Sequence, residues 1–338
     1  MRATILNRPG QIVCEEVADP KILKPTDAIV RLSVTCVCGS DLWSYRGIQP
    51  VESPQTMGHE YCGMVEEVGS EVRTIRPGQF VIGSFAASCG KCPACQIGYT
   101  SGCYEREFFS TAQAELVRVP HADGTLVATH DMPDAAMLPS LLAASDVLGT
   151  GWFAADAAEV KPGKTAVVVG DGAVGLLAVL SAKQMGAERI IAMSRHPARQ
   201  ALALEFGATD IVTERGDDGV QRILDLTKGI GADSVLECVG TQESMSQALR
   251  ATRRGGHMSY VGVPHGVSFD GFELFFSHVH LHGGPAPVRR YLPMLIDLIL
   301  SGRINPGKGF DMELPLDEVA EGYKAMDERR AIKVLLRP

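Results

Sequence analysis

The sequence has no block of basic residues. Its 338 residues carry 32 Lys and Arg against 40 Asp and Glu, a formal charge of −8 at pH 7. Nothing in it could neutralise a run of phosphates, which sets nucleic acid aside as a partner. Long apolar runs are missing too. Stretches such as 166–180 are interrupted by Asp171 and by glycines, short of the roughly 18 apolar residues that mark a membrane span. The opening MRATILNRPG lacks the apolar segment of a secretory signal. No internal repeat or low-complexity segment occurs, and 45% apolar with 21% charged residues is not the composition of a disordered chain. A soluble, cytoplasmic protein with no membrane partner is expected, and at this length two domains.

What is present begins with cysteine. Four of the nine cysteines, Cys89, Cys92, Cys95 and Cys103, crowd into SCGKCPACQIGYTSGC with the spacing C-x2-C-x2-C-x7-C. Without a secretory signal, such crowding favours metal over disulfides. Four thiolates from one loop can close tetrahedrally on Zn²⁺ and leave no open position, which makes the site structural. A ferredoxin-type cluster would place its fourth Cys after three residues, and seven intervene here. Cys14, Cys36, Cys62 and Cys238 sit in apolar surroundings and read as core thiols.

Residues 1 to about 148 hold short β-like runs (28–34, 63–68, 79–83, 114–119) broken by Gly, Pro and Asp, the rhythm of an all-β, barrel-like unit. From about 149 the texture changes. Strands are expected at 165–169, 189–193, 210–212, 234–239, 258–263 and 278–282, and helices at 174–185, 197–206 and 242–252. Strict alternation implies a parallel, doubly wound sheet, so the chain is of the α/β class. His278, His280 and His282 alternate as strand residues do, which would put all three on one face at a domain edge or subunit interface.

The run Gly170-Asp171-Gly172-Ala173-Val174-Gly175 follows one expected strand and opens a helix, the context in which G-x-G-x-x-G cradles a dinucleotide. The helix N-terminus then offers free N–H groups to the pyrophosphate. At the end of the second strand stands Ser194-Arg195-His196, with Arg199 one helical turn on. An acidic residue there would bind ribose hydroxyls and repel a 2′-phosphate, whereas a hydroxyl beside guanidinium groups makes a phosphate site. NADP is the expected cofactor.

Cys38 in CVCGSD and His59-Glu60 in MGHEYCG are each unremarkable alone, as a core thiol and a satisfied polar group. In order, Cys-x-Ser-Asp, Gly-His-Glu, the four-Cys loop and G-x-G-x-x-G resemble the zinc-containing medium-chain dehydrogenases/reductases over essentially the whole chain. The resemblance implies a GroES-like β-barrel catalytic domain (1–148 and 288–338) and a Rossmann coenzyme domain (149–287). It implies two Zn²⁺ per chain, a homodimer or homotetramer, and an alcohol, aldehyde or ketone substrate. Cys38 and His59 would be the first two ligands of a catalytic zinc. Asp146 would be the third, where some members use Cys or Glu. Glu60 resembles a neighbouring carboxylate that reaches the metal during ligand exchange, and Asp41 reads as the acceptor behind His59.

The expected chemistry has zinc, with an open fourth position, polarising the substrate oxygen while hydride passes to or from the nicotinamide. Ser40 would carry the proton; the bland alternative is a hydroxyl that caps the local turn. The chain departs from the pattern at Trp43, where many members place the His that ends a proton relay. Indole N–H accepts no proton, so that relay would end in water or another group, with Trp43 walling the substrate pocket. Three other readings compete. They are a metal-free quinone or enone reductase of the same superfamily, a polyol or amino-alcohol dehydrogenase, and a dinucleotide-binding protein without turnover.

Overall fold

Val, Ile and Leu are spaced through residues 28–37 so densely that the strand Ala28–Val37 is buried on both faces over most of its length. It is the hub of the first of two units into which the computed structural model divides, Met1–Gly149 with Pro287–Pro338, the second being Thr150–Ala286. The structure describes residues 1–50 and 52–338.

Around the hub strand a seven-stranded sheet forms. Tyr61–Val68 and Leu116–Val119 pair with it antiparallel, and its far half pairs with Val334–Arg337. The register against Tyr61–Val68 shifts after Ile29 and again after Leu32, and such irregularities bend a strand and increase its twist. Val30, Leu32, Tyr61, Val65, Val81 and Val117 fill one core. A second core joins Leu6, Val37 and Leu42 to Tyr323, Val334 and Leu336 from the C-terminal segment. Each fully buried aliphatic side chain contributes roughly 1.5–3 kcal/mol, which secures the return of the tail to this unit.

The second unit is the parallel, doubly wound sheet that the alternation predicts. Its strands lie in the order Asp210–Val212, Arg189–Met193, Thr165–Val169, Ala232–Glu237, Thr252–Tyr260, His280–Gly283, every neighbouring pair parallel. Thr165–Val169 and Arg189–Met193 are buried from their second residue onward, as strands covered on both faces are. The order reverses between Thr165–Val169 and Ala232–Glu237, and the loop after the first of these opens the helix Ala173–Gln184. Ligands of such sheets bind at that switch point.

Three details differ from expectation. The fifth strand covers Thr252–Tyr260, starting in the polar run TRRGGH and ending before Val263. Its early half pairs through a register shift at Ala232/Ser234, so polar residues occupy strand positions that hydrophobic patterning cannot reveal. The fourth strand likewise ends at Glu237. His278 is not a strand residue: it ends the helix Gly271–Ser277 in the left-handed region (φ 54°). Only His280 and His282 share the edge strand. His280 stacks on His257 of the neighbouring strand, and His282 meets the edge of Phe153.

Candidate functional site

The four-cysteine loop folds on itself through Pro93, which starts the short helix Pro93–Gln96 and sets Cys92 at its N-cap. All four sulfurs lie within 4.8 Å of one another. Cys92 and Cys95 are 3.5 Å apart, Cys89 and Cys103 3.5 Å, Cys92 and Cys103 3.9 Å. A disulfide requires about 2.05 Å, whereas four thiolates bound at about 2.3 Å stand roughly 3.8 Å apart on a tetrahedron. The donor set fits zinc. Backbone N–H groups of Cys89 and Glu105 point at the Cys103 sulfur, at 3.3 and 3.4 Å. Backbone hydrogen bonds from Tyr104 and Cys95 lower the Cys92 thiol to about 6, while burial raises Cys95 to about 12. The hydrogen bonds aimed at Cys92 thus favour its thiolate, the form that binds metal.

A second group assembles from three separate segments. Cys38 follows the hub strand, His59 and Glu60 precede the strand Tyr61–Val68, and Asp146 lies just before the helix Val147–Ala157. One ligand atom from each comes within 4.8 Å of the others. His59 Nε2 is 3.2 Å from Asp146 Oδ2, and Cys38 Sγ is 3.8 Å from the same oxygen. Behind the ring, His59 Nδ1 faces Asp41 Oδ1 at 3.3 Å. The other Asp41 oxygen accepts from the Cys38 N–H at 2.9 Å and from Gln113 Nε2 at 3.0 Å. The chain reaches His59 through Gly58 at φ +96°, where a Cβ would lie 2.4 Å from the Gln113 backbone nitrogen.

The electrostatics suit a cation. Burial alone would lower His59, but the charges of Asp41 and Cys38 and hydrogen bonds to Asp146 and Asp41 hold it well above the usual imidazole range. Burial pushes Glu60 up against the pull of Lys333. Glu60 Oε1 accepts from Lys333 Nζ at 2.7 Å, while its Oε2 is buried and has no hydrogen-bond partner among the described residues. Glu60 Oε1 lies 3.9 Å from His59 Nε2, so a second carboxylate stands beside thiol, imidazole and Asp146, a donor set for a divalent metal.

In the second unit the three glycines of the loop meet three needs. Gly170 turns at φ +121°, Gly172 faces open space, and a Cβ on Gly175 would sit 2.1 Å from the Gly170 carbonyl oxygen. Gly172 is the N-cap of the helix Ala173–Gln184, and no side chain caps it, so Ala173 and Val174 begin that helix with free N–H groups. Ser194 is buried at the end of its strand, Arg195 is exposed, and Arg199 reaches back to Asp171.

Residues 24–131 match the alcohol dehydrogenase GroES-like domain, and residues 173–301 match the zinc-binding dehydrogenases. Zinc-type alcohol dehydrogenase B of Aspergillus flavus is 33% identical, the match covering all of this chain and 81% of that one. The chain belongs to the zinc-type alcohol dehydrogenases of the medium-chain superfamily. Among solved structures it is similar to the alcohol dehydrogenase TADH from Thermus sp. ATN1, with TM-score 0.91, 33% identity, and coverage of 100% and 99% of the two chains. A Sinorhizobium meliloti chain described as a zinc-binding dehydrogenase, and solved bound to NADP, matches with TM-score 0.83 and 28% identity over 100% and 99%. The first unit of this alcohol dehydrogenase is thus GroES-like and the second Rossmann-like.

Other predicted positions of this dehydrogenase fall as follows. Ser40 precedes the helix Asp41–Tyr45, and its hydroxyl makes no capping bond, so turn capping does not explain it. Trp43 is half-buried on that helix, with the Arg46 guanidinium 6.0 Å from its ring. Cys36 and Cys62 are buried, while Cys14 and Cys238 are only partly so. Sequence reasoning missed Lys333, Gln113 and Tyr323. Lys333 is 1% exposed, and the signal for it was a lone charge inside the apolar run AIKVLL. Gln113 donates to Asp41 and the Cys36 carbonyl and accepts from the Tyr323 hydroxyl at 3.0 Å. No motif marks either of these two.

Proposed function

We propose that this dehydrogenase interconverts an alcohol and the corresponding aldehyde or ketone, with NADP(H) as hydride carrier and two zinc ions per chain. The observation that carries the reading is the meeting of Cys38, His59 and Asp146 around a common centre, with Asp41 placed behind the imidazole. Those three residues would hold a catalytic zinc, and the four-cysteine loop a structural one. Bound there, the zinc supplies a Lewis acid for the substrate oxygen, and the nicotinamide accepts or gives the hydride.

The chain's own residues do the rest. Asp41 fixes the ring orientation of His59 and keeps Nε2 directed at the metal position. Lys333 holds Glu60 through Oε1, the oxygen 3.9 Å from His59 Nε2, and so sets the position from which this carboxylate would reach the metal when ligands exchange. Ser40, with a hydroxyl uncommitted to capping, carries the proton to or from the substrate oxygen. Trp43 accepts no proton and walls the substrate pocket. NADP use is supported by Ser194, Arg195 and Arg199 where an acid would favour NAD. The family supports residues 1–148 with 288–338 as catalytic domain, 149–287 as coenzyme domain, and a cytoplasmic homodimer or homotetramer.

Metal analysis tests the core of this reading. Purified protein should hold two zinc ions per chain, and Asp146→Ala should hold one while losing turnover. One zinc in the wild type, with turnover intact, would instead favour a metal-free reductase.

A further inference from the structure

The cationic pocket that the second strand offers to a 2′-phosphate is already engaged by a carboxylate of the chain itself. Asp171 is the residue between the first two glycines of the loop. Its Oδ2 accepts from the Ser194 hydroxyl at 2.7 Å. Its Oδ1 pairs with Arg199 Nη1 at 3.3 Å, and its backbone carbonyl accepts from the same nitrogen at 3.3 Å. The arrangement is sheltered: Arg199 is 13% exposed and Asp171 17%. Ser194 is further fixed by the His196 N–H, which donates to its hydroxyl oxygen at 3.3 Å. A third guanidinium, Arg215, reaches in from beyond the third strand and donates to the Met193 carbonyl at 3.2 Å. Arg195 makes no hydrogen bond or ion pair among the described residues.

Two anions compete for one set of donors here. A hydroxyl proton directed at Asp171 cannot also be directed at a phosphate, and Arg199 loses a carboxylate partner when it turns to one. Without the phosphate, the same carboxylate is an acceptor for ribose hydroxyls, the part usually played by an acid at the end of the second strand. Resting on the NADP reading above, we propose that Asp171 is a specificity-determining residue. It is an internal competitor that holds down the advantage of the phosphorylated cofactor and leaves the enzyme able to bind the unphosphorylated one.

The test is calorimetric binding of adenosine 2′,5′-bisphosphate and adenosine 5′-monophosphate to zinc-loaded full-length protein, which reads the pocket without turnover. Asp171→Asn keeps the shape and removes the charge. It should raise the ratio of the two affinities by about tenfold in favour of the bisphosphate, the size of one charged hydrogen bond. Arg199→Met should lower that ratio, and in its background the Asp171→Asn gain should shrink, a coupling that a merely structural loop residue would not show. An unchanged or reduced ratio in Asp171→Asn overturns the proposal, as does a gain that ignores Arg199. The same titration tests NADP use itself, which fails if wild-type protein binds the bisphosphate no more tightly than the monophosphate. In that case a gain in Asp171→Asn still supports the competitor role.

Discussion

Gly58 has no room for a methyl group. Its φ of +96° already disfavours other residues, and a Cβ would meet the Gln113 backbone nitrogen at 2.4 Å. Gly58→Ala should therefore destabilise the protein by about 1–3 kcal/mol in urea melts and loosen metal at the adjacent His59. Wild-type stability in this variant would show that the backbone here yields easily. Asp41 acts one bond further out. Asp41→Ala removes the acceptor behind His59 and should weaken zinc binding at the Cys38–His59–Asp146 centre about 10–100-fold, measured by competition with a chelating dye. The four-cysteine loop should keep its zinc in the same titration.

Between the strands Arg189–Met193 and Asp210–Val212 the link is ionic as well as backbone. Arg189 donates to both oxygens of Asp210, at 2.8 and 2.7 Å. That hydrogen bonding holds the Asp210 carboxyl below its usual range. The pair's contribution is thus complete above the ordinary carboxylate pKa and disappears as pH falls through the lowered value. Asp210→Asn should cost about 1 kcal/mol near neutrality, since both groups are partly exposed. The gap to wild type should close toward acid, and a gap constant with pH would assign the loss to something other than the ion pair. These same elements were the legible ones. The strands at 165–169, 189–193 and 210–212 and the helix at 197–206 announce themselves by short apolar runs and a leading Pro, and local pattern is enough for them. Local pattern fails where tertiary pairing decides. Polar residues 252–257 enter a strand because a neighbour offers a ladder, and three alternating histidines look like a strand when the first is a helix cap. The candidate site divides the same way. Its ligands sit in short motifs, whereas Lys333 reaches Glu60 from 273 residues away, and Asp171 holds Ser194 across 23. No spacing rule carries such pairings.

At the scale of the whole molecule each unit holds its own share of the chemistry. Both candidate metal-binding groups lie in Met1–Gly149 with Pro287–Pro338, and the glycine loop and arginines lie in Thr150–Ala286. Among the described residues no helix is long and apolar enough to cross a membrane. The two proposed zinc sites should part company under chelation. The centre at Cys38, His59 and Asp146 would keep an open position and should empty first, taking activity with it; the closed four-thiolate site should empty later, and only its loss should lower the melting temperature markedly. Simultaneous loss of both metals with unfolding would contradict that division. The most direct test of the account is a set of initial rates for NADPH and NADH oxidation against a panel of aldehydes and ketones, using zinc-loaded protein. Turnover that is faster with NADPH, and abolished by Asp146→Ala, is the predicted result. Turnover with NADH alone would contradict the phosphate pocket at Ser194 and Arg199, and no turnover with either cofactor would contradict the zinc-centred carbonyl chemistry itself.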